Sequence, residues 1–325
     1  MFERLKNGWR LSSQVRKKIF SDKALLYYSV LSAIIIIAEA SVIFGSFIFI
    51  NIGTIAAASS TSSSSSSLSN AQTVDLIVLL FLFYVVSSFT SAYMLMALYV
   101  AFKSYSKGVK IGIGQAIGEA SSYVGVLLEW AVFYSIIIML IRMLEARFRG
   151  VSGALFGFLA SATLSIGLMF AFPVIYEQKT GPVTAMKMSA KTFISHFGSS
   201  VGGIAYSDLY GIMIMLLGVV IFIAAIGVSV ALPSISLGVL SAGIAALIIF
   251  IVAGAVIAST TSSIFKLVLY DYASGKGLPD WLDENLVKSA IVSKRGKAGR
   301  GTMGGFTSDD TSYMNDGSNP YARKL

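Results

Sequence analysis

The 325-residue chain contains no cysteine, one histidine and five prolines, and only 13% of its residues are charged. Without cysteine there is no disulfide framework, thiolate zinc site, iron–sulfur cluster or thiol nucleophile. One histidine cannot build a multi-histidine metal centre. Catalytic constellations are equally scarce. Ser195-His196 has no nearby acid and no nucleophile elbow around it. Gly112-x-Gly114-x-x-x-Gly118 follows an apolar span and a lysine-bearing loop, so the strand that precedes a nucleotide-binding turn is missing. No catalytic residue, metal or cofactor is expected, and no enzyme.

What is present is apolar residue, 55% of the chain, with a mean hydropathy of +0.78. Disordered chains combine low hydrophobicity with high net charge, and soluble domains carry about 25% charged residues. This chain is neither. A hydrocarbon core of about 30 Å is crossed by about 20 apolar residues in a helix, and six stretches reach that length, at about 24–50, 74–102, 121–144, 151–176, 201–232 and 237–270. Barrel strands alternate in polarity over about 10 residues; the run Leu76 to Val86 does not. The expectation is an all-α polytopic bundle of six transmembrane helices, with Pro233 in the outer turn between the last two. The positive segment reaches Lys23 with no small-residue cleavage site after it, so the first span reads as a retained helix.

Orientation follows the Lys and Arg count. Twenty-two fall in the segment before the first span, the loops after the second and fourth, and the C-terminal side; the opposite side holds Arg142, Arg147 and Arg149. A multi-pass protein of the cell membrane with both termini cytoplasmic is expected. Arg142 and Glu145 can pair on one helix face. The net charge of +9 is what this topology demands, so nucleic acid is not an expected partner; the bilayer and its anionic headgroups on the cytoplasmic face are.

Three short segments too brief to cross precede the odd spans, at 2–20, 113–123 and 183–197. In the first, Leu5, Trp9, Leu11, Val15 and Ile19 recur at helical spacing among Arg and Lys. Such segments lie in the headgroup plane as amphipathic interfacial helices. The order interfacial helix, span, span then occurs three times, a candidate threefold parallel repeat. The exits of the even spans are also alike: Tyr99 to Lys107-Gly108, Tyr176-Glu177 to Gly181, and Tyr270-Asp271-Tyr272 to Lys276-Gly277. The domain plan is a basic amphipathic helix at 1–23, a six-helix domain at 24–292 with a serine-rich outer loop at 54–73, and a disordered cytoplasmic tail at 293–325 that is available to a protein partner.

At these residues the chain resembles an uncharacterised family of prokaryotic six-helix membrane proteins, a domain of unknown function. The resemblance rests on Phe2-Glu3-Arg4-Leu5, Gly8-Trp9-Arg10-Leu11 and Ser21-Asp22-Lys23-Ala24-Leu25-Leu26. It rests also on Phe172-Pro173-Val174-Ile175-Tyr176-Glu177, Gly181-Pro182-Val183-Thr184-Ala185-Met186 and Leu269-Tyr270-Asp271-Tyr272-Ala273-Ser274-Gly275. It covers roughly residues 1–290. More loosely the chain is similar to the membrane half of bacterial glycerophosphodiester phosphodiesterases. The resemblance implies six helices with cytoplasmic termini and no known activity; the soluble phosphodiesterase domain is missing.

Two groups of residues stand out. Glu39, Glu129 and Asp208 fall inside odd spans, one per candidate repeat, where a charge costs about 2.5–3.5 kcal/mol or more to insert and usually faces the bundle interior. They form a candidate intramembrane polar site, either a proton or cation relay or acids held by neighbouring hydroxyls. Gly153, Gly157, Ser161 and Ser165 recur every four residues on the fourth span, and Gly254, Ala258 and Ser262 on the sixth, spacing that lets helix backbones approach. The first functional reading is a non-enzymatic membrane scaffold or accessory protein. The second is a small-solute or proton-coupled transporter using the three carboxylates.

The absence of cysteine makes the orientation directly testable. A single cysteine placed at Ser64→Cys should react with a membrane-impermeant maleimide in intact cells, whereas one at Ser106→Cys should react only after permeabilisation. Reversed labelling would overturn the assigned sidedness.

Overall fold

The computed structural model describes residues 2–60, 70–147, 151–197, 209–279, 281, 282 and 287. The serine run, Asp208 and the tail of the domain plan lie outside these residues. The described chain is helical, with no strand among its residues: α1 (Phe2–Ser21), α2 (Ala24–Ser60), α3 (Asn70–Ser106), α4 (Ile113–Ala120), α5 (Val124–Arg147), α6 (Val151–Leu168), α7 (Ala171–Gln178), α8 (Pro182–Phe197), α9 (Leu209–Ala231) and α10 (Ser236–Ala273). A helical turn at Pro233–Ile235 joins α9 to α10, at the turn expected from Pro233.

Among the described residues five stretches are long and apolar enough to cross a membrane: Ala24–Ile50, Thr73–Ser106, Ile113–Arg147, Leu209–Ala231 and Ser236–Ala273. The expected fourth span is divided. It runs as α6, breaks at Met169–Phe170, and resumes as α7. Pro173 supplies the reason, since its ring has no N–H to donate and clashes with the carbonyl four residues earlier, which is that of Met169. The Phe170 N–H, freed from the helical ladder, donates to Ser189 Oγ of α8 at 2.8 Å. α7 ends about two turns later on Lys179, a left-handed residue at φ 49° whose N–H caps the Ile175 carbonyl at 2.8 Å.

The short segments depart from the sequence expectation in where their faces point. Leu11, Val15 and Ile19 of α1 are buried because α1 packs along α10. Arg16 is buried with them, donating to Ser12 Oγ at 2.9 Å with its guanidinium 4.6 Å from the Tyr210 ring centre. Lys18 Nζ lies 4.7 Å from the Tyr105 ring centre at the end of α3. The described apolar stripe of α1 is thus consumed by protein contacts. α4 is no separate helix: it passes through a tight turn at Ser121–Tyr123 into α5 without leaving helical conformation, while Ala116 and Ala120 pack on α3. α8 turns Ala185, Ser189 and Phe193 inward and leaves Val183 and Ile194 exposed.

The buried core is concentrated at the end of the bundle that carries these short helices, around Tyr28, Tyr99, Phe102, Leu127, Phe170, Ile175 and Ile264. Away from it, large apolar side chains face outward, among them Ile37, Val42, Phe49, Val78, Val220 and Ile249. In water such a surface would drive aggregation; in hydrocarbon it needs no cover. The tightest helix pair is α9 with α10. A Cβ built on Gly211 would fall 2.5 Å from both the Ala258 Cβ and the Gly254 carbonyl oxygen, one on Gly218 would meet Phe250 at 2.6 Å, and one on Gly243 would meet Ala225 at 2.5 Å. Gly254 and Ala258 therefore lie in this seam. On α6, Gly153 and Gly157 are buried, whereas Ser161 and Ser165 are exposed; Gly157 abuts the Glu145 side chain of α5.

Gly211→Leu should force the α9–α10 backbones apart, costing about 1–3 kcal/mol as overpacking does, and lower the melting temperature of the detergent-solubilised protein. Gly227→Leu on the same helix, which meets nothing within 4 Å, should leave it nearly unchanged. Equal effects of the two substitutions would refute the seam.

Candidate functional site

Two features of the bundle can do chemistry, and they are stacked. At the basic end, the exits of α3, α7 and α10 converge on an ion cluster. Lys103 Nζ donates to Asp271 Oδ1 at 2.8 Å and Oδ2 at 2.7 Å and lies 3.0 Å from Glu177 Oε1. Lys276, from the turn after α10, pairs with Glu177 Oε2. That turn needs left-handed backbone at Gly275 and Gly277 (φ 73° and 81°), where glycine carries no steric penalty. Aromatic rings wall the cluster: Tyr99 meets Tyr176 edge-on at 6.0 Å, and Tyr123 stacks on Tyr176 at 5.9 Å. The Tyr123 hydroxyl donates to the Tyr176 carbonyl oxygen at 3.0 Å.

The charges compensate one another, two cationic and two anionic, which is the condition for holding ions in a mostly buried place. Burial alone pushes the Glu177 carboxyl up. The bonds from Lys276 and Lys103 outweigh it and hold the group below its ordinary value. A carboxyl depressed in the folded state adds stability above its unfolded pKa and loses it as pH falls through the folded value.

Above the cluster lies a chamber of about 820 Å³ between α2, α3, α5, α6, α7 and α10. Its volume is in the range of small-molecule sites, about 300–1,000 Å³. Hydroxyls line it: Ser29 and Ser32 from α2, Ser87, Ser88 and Ser91 from α3, Ser165 from α6, Ser259 and Ser263 from α10. Tyr28, Tyr84, Tyr99, Tyr134 and Trp130 add polar handles on apolar bodies. Trp130 is held by Phe172 at 4.8 Å and stacks with Tyr134 at 6.3 Å. Lys266 is the one charged side chain in the described lining. Ser29 and Thr260 join α2 to α10 through a 2.6 Å hydroxyl–hydroxyl bond.

The sequence-derived carboxylates do not share this place. Glu39, midway along α2, accepts a 2.5 Å hydrogen bond from Thr90 of α3, and its buried Oε2 has no protein partner. It stands one turn beyond Ile36, a lining residue, and does not itself line the chamber. Glu129 is exposed and sits against Gly181 in the turn between α7 and α8, with Oε2 3.3 Å from where a Cβ there would be. That is the level of the ion cluster, not of Glu39. Asp208 is outside the described residues. Arg142 and Glu145 form their expected pair, at 2.8 Å. Among the described residues no group of three or more His, Asp or Glu side chains is placed to hold a metal. Sequence reasoning missed the cluster and the chamber serines. The signal for the cluster was present in the likeness of the even-span exits; for the serines no pattern separates a chamber face from a neutral one.

Lys103→Met should leave Asp271 and Glu177 facing each other without their shared cation, a loss of roughly 1–3 kcal/mol seen as a lower melting temperature. The share of wild-type stability carried by Glu177 should be lost as pH drops below the ordinary carboxylate range, and the variant should show a flatter profile. Identical profiles for the two proteins would remove the cluster from the stability argument.

No curated protein and no solved structure matches the chain. Residues 74–278 match a Family of unknown function (DUF6159), a span that opens in α3 and closes just beyond Gly277, leaving α1 and α2 outside it, and it carries no link to the glycerophosphodiester phosphodiesterases. Because the match covers more than half of the chain, including every residue of the ion cluster, the protein belongs to the Family of unknown function (DUF6159).

Proposed function

We propose that this is a non-enzymatic, multi-pass membrane protein that takes a small molecule into the chamber of its bundle, with both termini in the cytoplasm and the ion cluster forming the cytoplasmic floor. The observation that carries this reading is the chamber itself, a hydroxyl-lined space of about 820 Å³ inside a bundle whose outer surface is apolar. Eight serines around one cavity are more than packing requires, since hydroxyls in a lipid-embedded helix can bond back to their own backbone, as Ser87 does to the Phe83 carbonyl at 2.6 Å. Their remaining bonding capacity faces the chamber. Glu39, with one oxygen held by Thr90 and the other unpartnered, is the proton-carrying candidate one turn beyond its wall. Intramembrane acids are functional-site candidates by default.

The scaffold reading is the second one. It draws on Val183 and Ile194, exposed on α8 beside Lys187 and Lys191, a face suited to headgroups or a partner. The burial of Leu11, Val15 and Ile19 withdraws these three α1 side chains from the leaflet.

Purified protein reconstituted into vesicles should accumulate at least one solute from a broad labelled panel under an imposed pH gradient. Ser88→Phe, which fills the chamber, and Glu39→Gln should each cut that uptake by about tenfold or more. No uptake of any solute, together with a partner that co-purifies only when residues 293–325 are present, would favour the scaffold.

A further inference from the structure

The chamber offers little charge and much hydroxyl. Among the described lining residues no carboxylate faces into it, and Lys266, the one charged side chain there, already has an interaction partner within the protein. An ion entering this low-dielectric space would leave its water without an uncommitted counter-charge to meet it, a costly transfer. The hydroxyls are in a different state. Ser87 donates to the Phe83 carbonyl and Ser29 is tied to Thr260. Ser32, Ser88, Ser91, Ser165, Ser259 and Ser263 line the same space and make no hydrogen bond among the described residues, although helical serines readily bond back to their own backbone.

These hydroxyls run along the length of the chamber. The Ser29–Thr260 bond marks one level, flanked by Ser32, Ser259 and Ser263. The Thr90–Glu39 bond marks another, flanked by Ser87, Ser88 and Ser91. Ser29 and Glu39 are ten residues apart on α2, roughly 15 Å at 1.5 Å per residue. Apolar surface is interleaved with them: Ile36 stands one turn after Ser32, Leu95 one turn after Ser91, and Ala255 one turn before Ser259. We propose that the chamber binds an uncharged polyol. This rests on the chamber being a ligand site. A hydroxyl both donates and accepts, so a ligand built of hydroxyls is bonded whichever way each serine turns. The carbon–hydrogen faces of the same molecule fit against Ile36, Leu95 and Ala255. A free polyol and the polyol headgroup of a nonionic lipid share this chemistry.

Sorbitol, gluconate and glucamine share a polyhydroxyl chain and differ at a terminal group that is neutral, anionic or cationic at neutral pH. Each is titrated against the full chain in nanodiscs of zwitterionic lipid, with Trp9→Phe and Trp281→Phe so that Trp130, in the chamber wall, reports. A saturable change in Trp130 fluorescence is expected at about tenfold lower sorbitol than either charged analogue, a difference of about 1.4 kcal/mol. Ser32→Ala combined with Ser259→Ala should raise the sorbitol midpoint by about tenfold, Ser259→Thr should keep it, and Ser88→Phe should abolish the response. Sorbitan monooleate in the disc should compete with sorbitol if the headgroup is taken from the bilayer, and leave the midpoint unmoved if the polyol comes from water; either result supports the class. Charged analogues that saturate as readily as sorbitol, a midpoint indifferent to the paired serine substitutions, or saturation by neither sorbitol nor sorbitan monooleate overturns the polyol assignment. The ligand-site reading falls separately, when the labelled panel in vesicles shows uptake of no solute of any charge.

Discussion

A helix bundle surrounded by hydrocarbon cannot be held together by burying apolar surface, because the lipid it would escape from is as apolar as the protein. Every other feature of this structure answers that constraint. Where backbones can touch, they do so through residues without bulk, and the α9–α10 seam at Gly211, Gly218, Gly243 and Gly254 trades side-chain volume for close dispersion contact. Where they cannot, polar groups take over. Lys103 draws the ends of α3, α7 and α10 to one point through Asp271 and Glu177, and Ser29 with Thr260 clips α2 to α10.

The chamber is the complement of that pattern. Contacts gather at the basic end, where Tyr99, Tyr176 and Phe170 close the core, and around the α9–α10 pair. Between these, helices carrying serine and tyrosine stand apart and enclose space. The break at Pro173 contributes directly, since it ends α6 and sets Phe172 against Trp130 in the chamber wall. The ion cluster thus sits beside the basic end of the chamber, joined to it through α3 and α10. Tyr99, one turn before Lys103 on α3, meets Tyr176 beside the cluster and also lines the chamber.

Much of the architecture was legible beforehand. All-helical structure, the positions of α2, α3, α9 and α10, the turn at Pro233 and the Arg142–Glu145 pair all follow from local rules of length, period and spacing. The division of the fourth span was readable too, in Pro173, but a hydropathy run conceals a single proline because the flanking residues remain apolar. The destination of the α1 stripe was not readable. Leu11, Val15 and Ile19 have the same spacing whether they meet lipid or α10, and only the partner's surface distinguishes the two.

By itself the sequence determined that this chain is helical, apolar on its outer faces and poor in the chemistry of catalysis, because those properties are sums over residues and short-range periodicities. Only the tertiary structure decided which polar residues matter. It separated Glu39 from Glu129, joined Lys103, Glu177, Asp271 and Lys276, and turned scattered serines of α2, α3, α6 and α10 into one lining. Proximity between residues as distant along the chain as Lys103 and Asp271, 168 positions apart, depends on how helices pack, and no local rule encodes it.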